Sequence, residues 1–313
     1  MSTYNSIIDR TDAKDLIPEE VSREIIQALP EQSIVMRLAR RVPMSRYQTR
    51  MPVLSALAYG YFVDGDTGLK QTTNLAWTNR YLYAEELAVI VPVPQNVLDD
   101  AEFDIWGQVR PRITEAFGRV IDAAILFGVN KPALWPNAIV TAATSAGHTV
   151  SLAASTDIID AVGGEDGIMT LVEADGFSVT AFAAYPTIRA NLRGARTADG
   201  ALIYMPSLAN GAPSTLYGLP IEYAANGAWD DTAALLICGE WSQIIIGERS
   251  DISFTILREA VIQDASGNII FNLAQQDMVA LRATMRIAFQ VANPITNLEQ
   301  TEANRYPFAV LTP

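Results

Sequence analysis

The stretch LAWTNRYLYAEELAVIVPV, residues 75–93, decides how this chain folds, because its side chains alternate in character along the backbone. The odd positions carry mainly Leu, Trp, Tyr and Val, whereas most even positions are small or polar. A period of two in residues that favour β-structure predicts one long strand, or two collinear strands. At about 3.3 Å per residue the segment would reach roughly 60 Å, about three times the length of a usual strand.

The preceding segment MPVLSALAYGYFV, residues 51–63, supplies an opposing limb, and VDGDTGLKQTT, residues 63–73, connects the two limbs. This connection allows three interpretations: a metal loop, a site with a reactive lysine, or the bend of a hairpin. Its Asp-Gly, Gly-Asp and Thr-Gly dipeptides are typical of turns, so we predict a bend. A two-stranded ribbon of this length is marginal on its own, so it needs a partner surface.

Groups able to carry catalysis or bind a metal are sparse. Asp64 and Asp66 begin a calcium-loop pattern, which then fails at Gly68. The lone histidine, His148, lies in a glycine-containing turn and is predicted to be a solvated side chain. Cys238 lies in an apolar strand pattern and is predicted to be a small buried hydrophobic residue. With no phosphate loop, dinucleotide fingerprint or nucleophile-elbow motif, we expect no enzyme activity, catalytic residue, cofactor or metal.

Composition narrows the class of protein further. Half of the 313 residues are hydrophobic and 18% are charged, which is typical of a globular chain. A net charge of -13 argues against a protein that reads nucleic-acid grooves, and a single cysteine excludes an intrachain disulfide. Without a secretory signal or an apolar run of about 20 residues, we expect a soluble protein made in a reducing cytoplasm, with no membrane partner.

Two segments precede the hairpin. IPEEVSREIIQAL, residues 17–29, has a helical signature, with acidic residues in its first turn and Val21, Ile25, Ile26 and Leu29 on one face. The run MRLARRVPMSRYQTR, residues 36–50, carries five arginines and no acid: Arg37, Arg40, Arg41, Arg46 and Arg50. Such a run indicates either a solvated basic face or a contact with an acidic neighbour.

Beyond the hairpin, an apolar stripe from Asp104 to Phe127 predicts a helix about 36 Å long that ends at Gly128. Residues 129–230 mix short helices and strands, which predicts a compact second domain inserted into the first. The chain then returns to strands, and Arg282 and Arg286 fit either a helical face or a strand.

The order of these segments resembles the major capsid protein family of tailed bacteriophages, with its Hong Kong 97-type α+β fold. The resemblance rests on the acidic N-terminal arm, DGDTGLK at a hairpin tip, LAVIVPVPQNVLDDAEFDI before the helix ending AAILFG, and four later segments. Those segments are AAYPTIRANLRGARTADGALIY, LYGLPIEYA, CGEWSQIIIGERSDISFTI and QQDMVALRATMRIAFQVANPITNL.

The resemblance implies a division of the chain. Residues 1–50 would be the N-terminal arm, 51–85 the extended hairpin or E-loop, and 86–128 the peripheral domain with its long spine helix. Residues 129–235 would form the axial domain, and 236–313 would complete the peripheral domain and the C-terminal tail. In such shells the E-loop lies across a neighbouring subunit, which is the partner surface the ribbon needs.

The resemblance also implies a function. Copies of the chain would form pentamers and hexamers of an icosahedral shell, assembled in the host cytoplasm and retained in the virion. The shell would hold double-stranded DNA without sequence-specific binding, beside a portal and decoration proteins. Because the arm before the E-loop is short, either a separate scaffold protein exists or assembly needs none. An encapsulin-like bacterial nanocompartment is the alternative, and a carboxylate-dependent enzyme is a third class.

Candidate inter-subunit contacts follow from the same resemblance: Asp64, Asp66, Lys70, Arg37, Arg40 and Arg41. Some relatives join an E-loop lysine to an asparagine of an adjacent subunit beside a glutamate. Lys70 has a comparable place, with Asn293 or Asn297 as acceptor and Glu299 nearby. The two aspartates favour a charged Lys70, so we expect a noncovalent contact.

Overall fold

The computed structural model describes residues 33–60, 62, 70, 72–100, 104–155, 157–196, 203–204, 214–264 and 266–313. The helix predicted for residues 17–29 lies outside them, as do Asp64 and Asp66. The described residues form seven α-helices: α1 Ile34–Leu38, α2 Gln95–Asp100, α3 Ile105–Asp122, α4 Ile139–Ser145, α5 Ile158–Gly163, α6 Ile168–Ala174 and α7 Ile188–Gly194. They also form fourteen strands: β1 Arg40–Pro43, β2 Gln48–Ala56, β3 Ala76–Tyr83, β4 Glu85–Pro94, β5 Thr149–Ser151, β6 Ala181–Ala184, β7 Thr215–Leu216, β8 Leu219–Tyr223, β9 Leu236–Gly239, β10 Ile244–Leu257, β11 Val261–Gln263, β12 Ile269–Asn272, β13 Met278–Val291 and β14 Phe308–Thr312.

A four-stranded sheet in the order β1-β10-β13-β4 forms the first body of the fold. Strand β1 runs parallel to β10, and the other neighbours are antiparallel. Leu281, Ala283 and Met285 alternate along β13 on its buried face, in one core with α3. Arg282 and Arg286 are exposed positions of this same strand, so the strand interpretation is correct for both.

The long helix α3 packs on this sheet through Ile113, Phe117 and Ile121. Its apolar residues recur at helical spacing, which places one continuous stripe against the core. The helix continues through a π-helical turn, Ala123–Phe127, and ends at Gly128, whose φ of 79° is left-handed. The prediction of a helix from Asp104 to Phe127 with a glycine stop is therefore confirmed.

A six-stranded sheet in the order β5-β14-β9-β6-β8-β7 forms the second body. Helices α5, α6 and α7 bury their apolar residues against it. Two of its strands, β9 and β14, come from the part of the chain after residue 235. The division of the chain at residue 235 stays a prediction, and β9 and β14 pair with β6 and β5 of the segment that precedes it.

The hairpin predicted between residues 51 and 85 is a separate two-stranded ribbon of β2 and β3. Its register joins Gln48 to Tyr83 at one end and Ala56 to Ala76 at the other. The alternating stretch is two strands rather than one, because β3 pairs with β2 whereas β4 pairs with β13. Ala84 separates them, and its N–H donates to the carbonyl of Tyr47 at 2.9 Å.

Candidate functional site

The ribbon of β2 and β3 presents large apolar side chains to solvent. Trp77 of β3 is 62% exposed. Tyr59, Phe62 and Leu75, just beyond the paired strands, are also exposed. A cluster of exposed aromatic residues on a two-stranded ribbon marks a contact surface, because an isolated ribbon cannot bury them itself. The ribbon is therefore the strongest candidate for binding to another molecule.

The root of the ribbon is fixed to its own chain. Leu82 is fully buried beside Met44, Ile245 and Ala288. The indole N–H of Trp135 donates to the carbonyl of Tyr83 at 3.1 Å. These contacts set the direction in which the ribbon leaves the body.

A second set of contacts joins the ribbon to the loop between β13 and β14. The backbone N–H of Ile295 donates to the carbonyl of Leu54 at 3.2 Å. Tyr59 donates its hydroxyl proton to Gln300 at 2.5 Å. Arg80 forms an ion pair with Glu302. The ribbon thus lies against its own C-terminal loop at these points, and the sequence prediction did not include this contact.

The candidate contact residues at the ribbon tip are only partly described. Lys70 is exposed to solvent. Of the acceptors considered for a covalent link, Asn293 is buried, and its amide donates to the carbonyl of Arg305 at 3.0 Å. Asn297 is exposed, and the Glu299 carboxylate accepts a hydrogen bond from the N–H of Thr301 at 2.6 Å. Hydrogen bonds from Thr301 lower the pKa of Glu299. Asn293 is therefore engaged within its own subunit.

The arginine run has acidic partners within the same chain. Arg37 pairs with Glu222 at 2.7 Å and Arg41 with Glu248 at 3.4 Å. Arg41 also donates two hydrogen bonds to the carbonyl of Met36, at 2.9 and 2.6 Å. Arg40 is exposed on β1. Arg37 and Arg41 therefore bind the N-terminal segment to the rest of the subunit. The acidic partners of these two arginines belong to the same chain.

Asp122, at the end of α3, is a buried carboxylate that the sequence analysis missed. Its oxygens accept hydrogen bonds from the Ser33 hydroxyl at 2.5 Å and the Asn226 amide at 2.7 Å. The backbone N–H groups of Ile34 and Val35 donate to it at 3.0 and 3.1 Å. Burial raises the pKa of Asp122, although these four donors act in the opposite direction. The carboxylate joins α1, the spine helix and the loop after β8.

His148 is buried, so its prediction as a solvated side chain was wrong. It is 5% exposed, and its Nε2 lies 3.3 Å from the Asp175 carboxylate. Its Nδ1 lies 3.3 Å from the carbonyl of Phe308. Asp175 accepts a further hydrogen bond from the N–H of Tyr306, and burial raises the pKa of this carboxyl group. The histidine thus joins the turn after α4 to β14.

Cys238 lies in β9 and is fully buried, as predicted. Burial raises the pKa of its thiol, which keeps it protonated and unreactive. Among the residues that the structure describes, no group of three or more His, Cys, Asp or Glu side chains could hold a metal ion. Within the same part of the chain, no helix is long and apolar enough to cross a membrane.

A second apolar surface lies at the far end of β10 and on the hairpin of β11 and β12. Its exposed residues are Phe254, Ile256, Val261, Ile269 and Ile270. The sequence analysis did not single out this surface, because its alternation resembles that of a half-buried strand. With the ribbon, it gives the molecule two separated apolar surfaces.

The fold and these exposed apolar surfaces indicate a structural subunit that contacts another molecule. Residues 13–296 match the model of the Phage capsid family. The match covers most of the chain, and the chain belongs to that family.

Individual relatives agree with this assignment. The chain is 26% identical over 279 residues to a protein named Major capsid protein from Staphylococcus phage 80alpha. The aligned region covers 88% of this chain and 81% of that relative. A solved chain from Microbacterium phage Oxtober96 has a TM-score of 0.85 at 38% identity, over 98% of this chain and 100% of that one. One from Mycobacterium phage Cain has a TM-score of 0.84 at 31% identity, over 98% and 99%.

These likenesses confirm the predicted α+β, Hong Kong 97-like fold and the function of a structural major capsid protein that assembles with itself. The protein is thus a component of a phage particle.

Proposed function

We propose that many copies of this chain, as pentamers and hexamers, tile a closed icosahedral shell around a double-stranded DNA phage genome. The observation that carries this proposal is the ribbon of β2 and β3, which leaves a well-packed body with exposed aromatic residues that need a neighbour. In a closed shell every copy supplies one ribbon and receives another, so each surface is covered.

The shell holds its DNA without sequence-specific contacts. The net charge of -13 does not conflict with this role, since a container does not have to neutralise its contents. We propose that assembly takes place in the host cytoplasm, with a portal, with a separate scaffold protein and with decoration proteins as partners.

The chain has no catalytic role in this proposal. His148 is buried in a structural network, and Cys238 is a protonated core residue. Both groups lack the access to solvent that a substrate needs.

The candidate contacts take different roles. Arg40 and Lys70 are exposed and are proposed to meet acidic groups of a neighbouring copy. Arg37 and Arg41 first hold the N-terminal segment through Glu222 and Glu248. Arg37 and Arg41 are proposed to contact a neighbouring copy only through guanidinium N–H groups that are not used in these intrachain ion pairs. Asp64 and Asp66 are proposed as contacts from their position at the predicted ribbon tip.

Electron microscopy of the negatively stained protein, alone and with co-expressed phage partners, tests the proposal. We expect pentamers, hexamers or closed shells, with DNA-filled particles when the partners are present. A monomer that persists across salt and protein concentration, even with a scaffold supplied, would contradict the shell. Small particles filled with enzyme cargo would favour the encapsulin-like alternative.

A further inference from the structure

The loop between β13 and β14, residues 292–307, touches the ribbon and both bodies of the fold, and we call it the strap. It leaves the four-stranded sheet after Val291 and enters the six-stranded sheet at Phe308. Between these ends it lies against the ribbon at Leu54, Tyr59 and Arg80. A segment with these contacts fixes the direction of the ribbon, provided that its own shape and position are fixed.

Hydrogen bonds within the strap fix its shape. Arg305 is buried, and its guanidinium donates to the carbonyls of Glu299 at 3.0 Å and Asn293 at 3.3 Å. The Asn293 amide donates in return to the carbonyl of Arg305 at 3.0 Å. The φ of Asn293 is 42°, in the left-handed region that Asn enters more readily than most residues. A buried arginine thus closes the strap into one internally bonded loop.

The position of the strap is fixed by the six-stranded body, at the end of α6. The Thr296 hydroxyl donates to the carbonyl of Asp175 at 2.6 Å, and the Asp175 carboxylate accepts a hydrogen bond from the N–H of Tyr306 at 2.8 Å. Gly176 permits this close approach, because a Cβ there would lie only 3.2 Å from the Cβ of Thr296. These bonds are mostly buried, so the strap is held more firmly by the body than by the ribbon.

The ribbon needs this support because its own root is short. Leu82 is buried at the root, and Leu54 pairs with Trp77, five residues away along β3. At about 3.3 Å per residue the strap therefore holds the ribbon roughly 17 Å from its root. A two-stranded ribbon attached at its root alone is free to swing, since such a ribbon is marginal by itself. A second attachment at this distance removes that freedom.

We propose that the strap sets the direction in which the ribbon leaves the subunit, by coupling the ribbon to the six-stranded body. Loss of its contacts lets the ribbon swing about the root while the subunit stays folded. The inference concerns the unassembled subunit and goes beyond the proposed shell. Its failure would leave the shell unaffected, because assembly is tested by a different measurement.

Hydrogen exchange at the backbone N–H of Ile295, in the unassembled full-length chain, tests the contact with the ribbon. This N–H donates to the carbonyl of Leu54, so it exchanges with solvent when the ribbon lifts from the strap. Arg80→Ala removes the ion pair with Glu302 and should speed this exchange about two- to fivefold, as expected for a partly exposed pair. The charge-swapped chain, Arg80→Glu with Glu302→Arg, should exchange more slowly than either single variant.

Glu86→Ala is the matched control, because it removes a similarly exposed ion pair with Arg286 on the four-stranded sheet. It should leave the exchange rate of Ile295 unchanged. An unchanged rate in Arg80→Ala, an equal increase in Glu86→Ala, or no recovery in the charge-swapped chain would overturn the proposal. Glu302→Gln keeps the size of a side chain that is 63% exposed, so it repeats the test if Arg80→Ala does not fold.

Distances between nitroxide labels test the coupling to the six-stranded body. Labels at the exposed positions Thr78→Cys of β3 and Thr255→Cys of β10 report the direction of the ribbon, and the fully buried Cys238 does not react. An excess of unlabelled chain restricts the signal to distances within one chain. Thr296→Val removes the hydroxyl bond to Asp175 without touching the ribbon, and it should broaden the distance distribution.

Thr144→Val is the control for this substitution, because it removes a hydroxyl bond to the carbonyl of Val140 on α4 and should leave the distribution narrow. A distribution that is unchanged in Thr296→Val, or already broad in the chain that carries only the labels, would show that the strap does not set the direction of the ribbon. Urea unfolding of each labelled chain confirms that the subunit is folded. If Thr296→Val does not fold, the same labels in Glu302→Gln decide, and an unchanged distribution there would equally contradict the proposal.

Discussion

Replacing Asp122 with alanine is expected to destabilise the unassembled chain by about 3 kcal/mol. The carboxylate accepts hydrogen bonds from four donors: the Ser33 hydroxyl, the backbone N–H groups of Ile34 and Val35, and the Asn226 amide. Alanine removes every acceptor at once and leaves these groups buried without partners.

The magnitude follows from two opposing effects. Each buried donor left unsatisfied costs roughly 1–3 kcal/mol. The substitution also removes the unfavourable burial of a charge, which is the dominant cause of the raised pKa of Asp122. The net loss therefore falls near the lower end of the roughly 3–5 kcal/mol typical of breaking a buried charged network.

Equilibrium unfolding in urea, followed by tryptophan fluorescence, measures this loss, since Trp135, Trp229 and Trp241 are buried reporters. The control Asp231→Ala removes an exposed aspartate and should change the free energy of unfolding by less than about 0.5 kcal/mol. A loss below about 1 kcal/mol for Asp122→Ala would refute the reasoning, because the carboxylate would then contribute little to holding α1 on α3.

Further predictions concern pH, the ribbon and its tip. Burial raises the pKa of Asp122 above 3.8, so its contribution to stability is full below that pH and decreases as the pH rises through the raised value. Urea titrations at several pH values across this interval measure the free energy of unfolding of the wild type and of Asp122→Asn. The wild type should lose stability relative to Asp122→Asn as the pH rises, and a relative gain would contradict this prediction. Deleting residues 60–76 should change the free energy of unfolding of the monomer by less than about 1 kcal/mol, because the buried root at Leu82 remains, while shells fail to form or are fragile by electron microscopy. A much earlier melting transition would instead assign the segment to the subunit core. Assembled particles boiled in denaturant should give a single gel band at 34.0 kDa, because Asn293 is engaged within its own subunit and no sequence motif marks the exposed Asn297 as an acceptor. A ladder of multimers that disappears in Lys70→Ala would establish a covalent link.

The sequence predicted the elements whose signals are local. Alternation identified β3 and β4, and helical periodicity with a glycine stop identified the helix that ends at Gly128. The break at Ala84 could not be predicted from alternation, which continues across it. The pairing changes there, because β3 pairs with β2 whereas β4 pairs with β13, and such a change depends on tertiary structure alone.

Long-range contacts explain the remaining differences. His148 is buried because Asp175 and Phe308 surround it, and neither lies near it in sequence. Strands β9 and β14, from the C-terminal part of the chain, belong to the six-stranded sheet. Their apolar patterns fit either sheet, so the sequence could not assign them. The four donors to Asp122 come from two segments far from it in sequence, residues 33–35 and Asn226, and no motif in the sequence marks such a site.

A cryo-electron microscopy reconstruction of assembled particles tests the central claim most directly. We predict a closed icosahedral shell in which the ribbon of β2 and β3 crosses onto a neighbouring copy and Trp77, 62% exposed in the isolated subunit, becomes buried. A ribbon that stays on its own subunit with Trp77 in solvent, or particles without closed symmetry, would contradict the account.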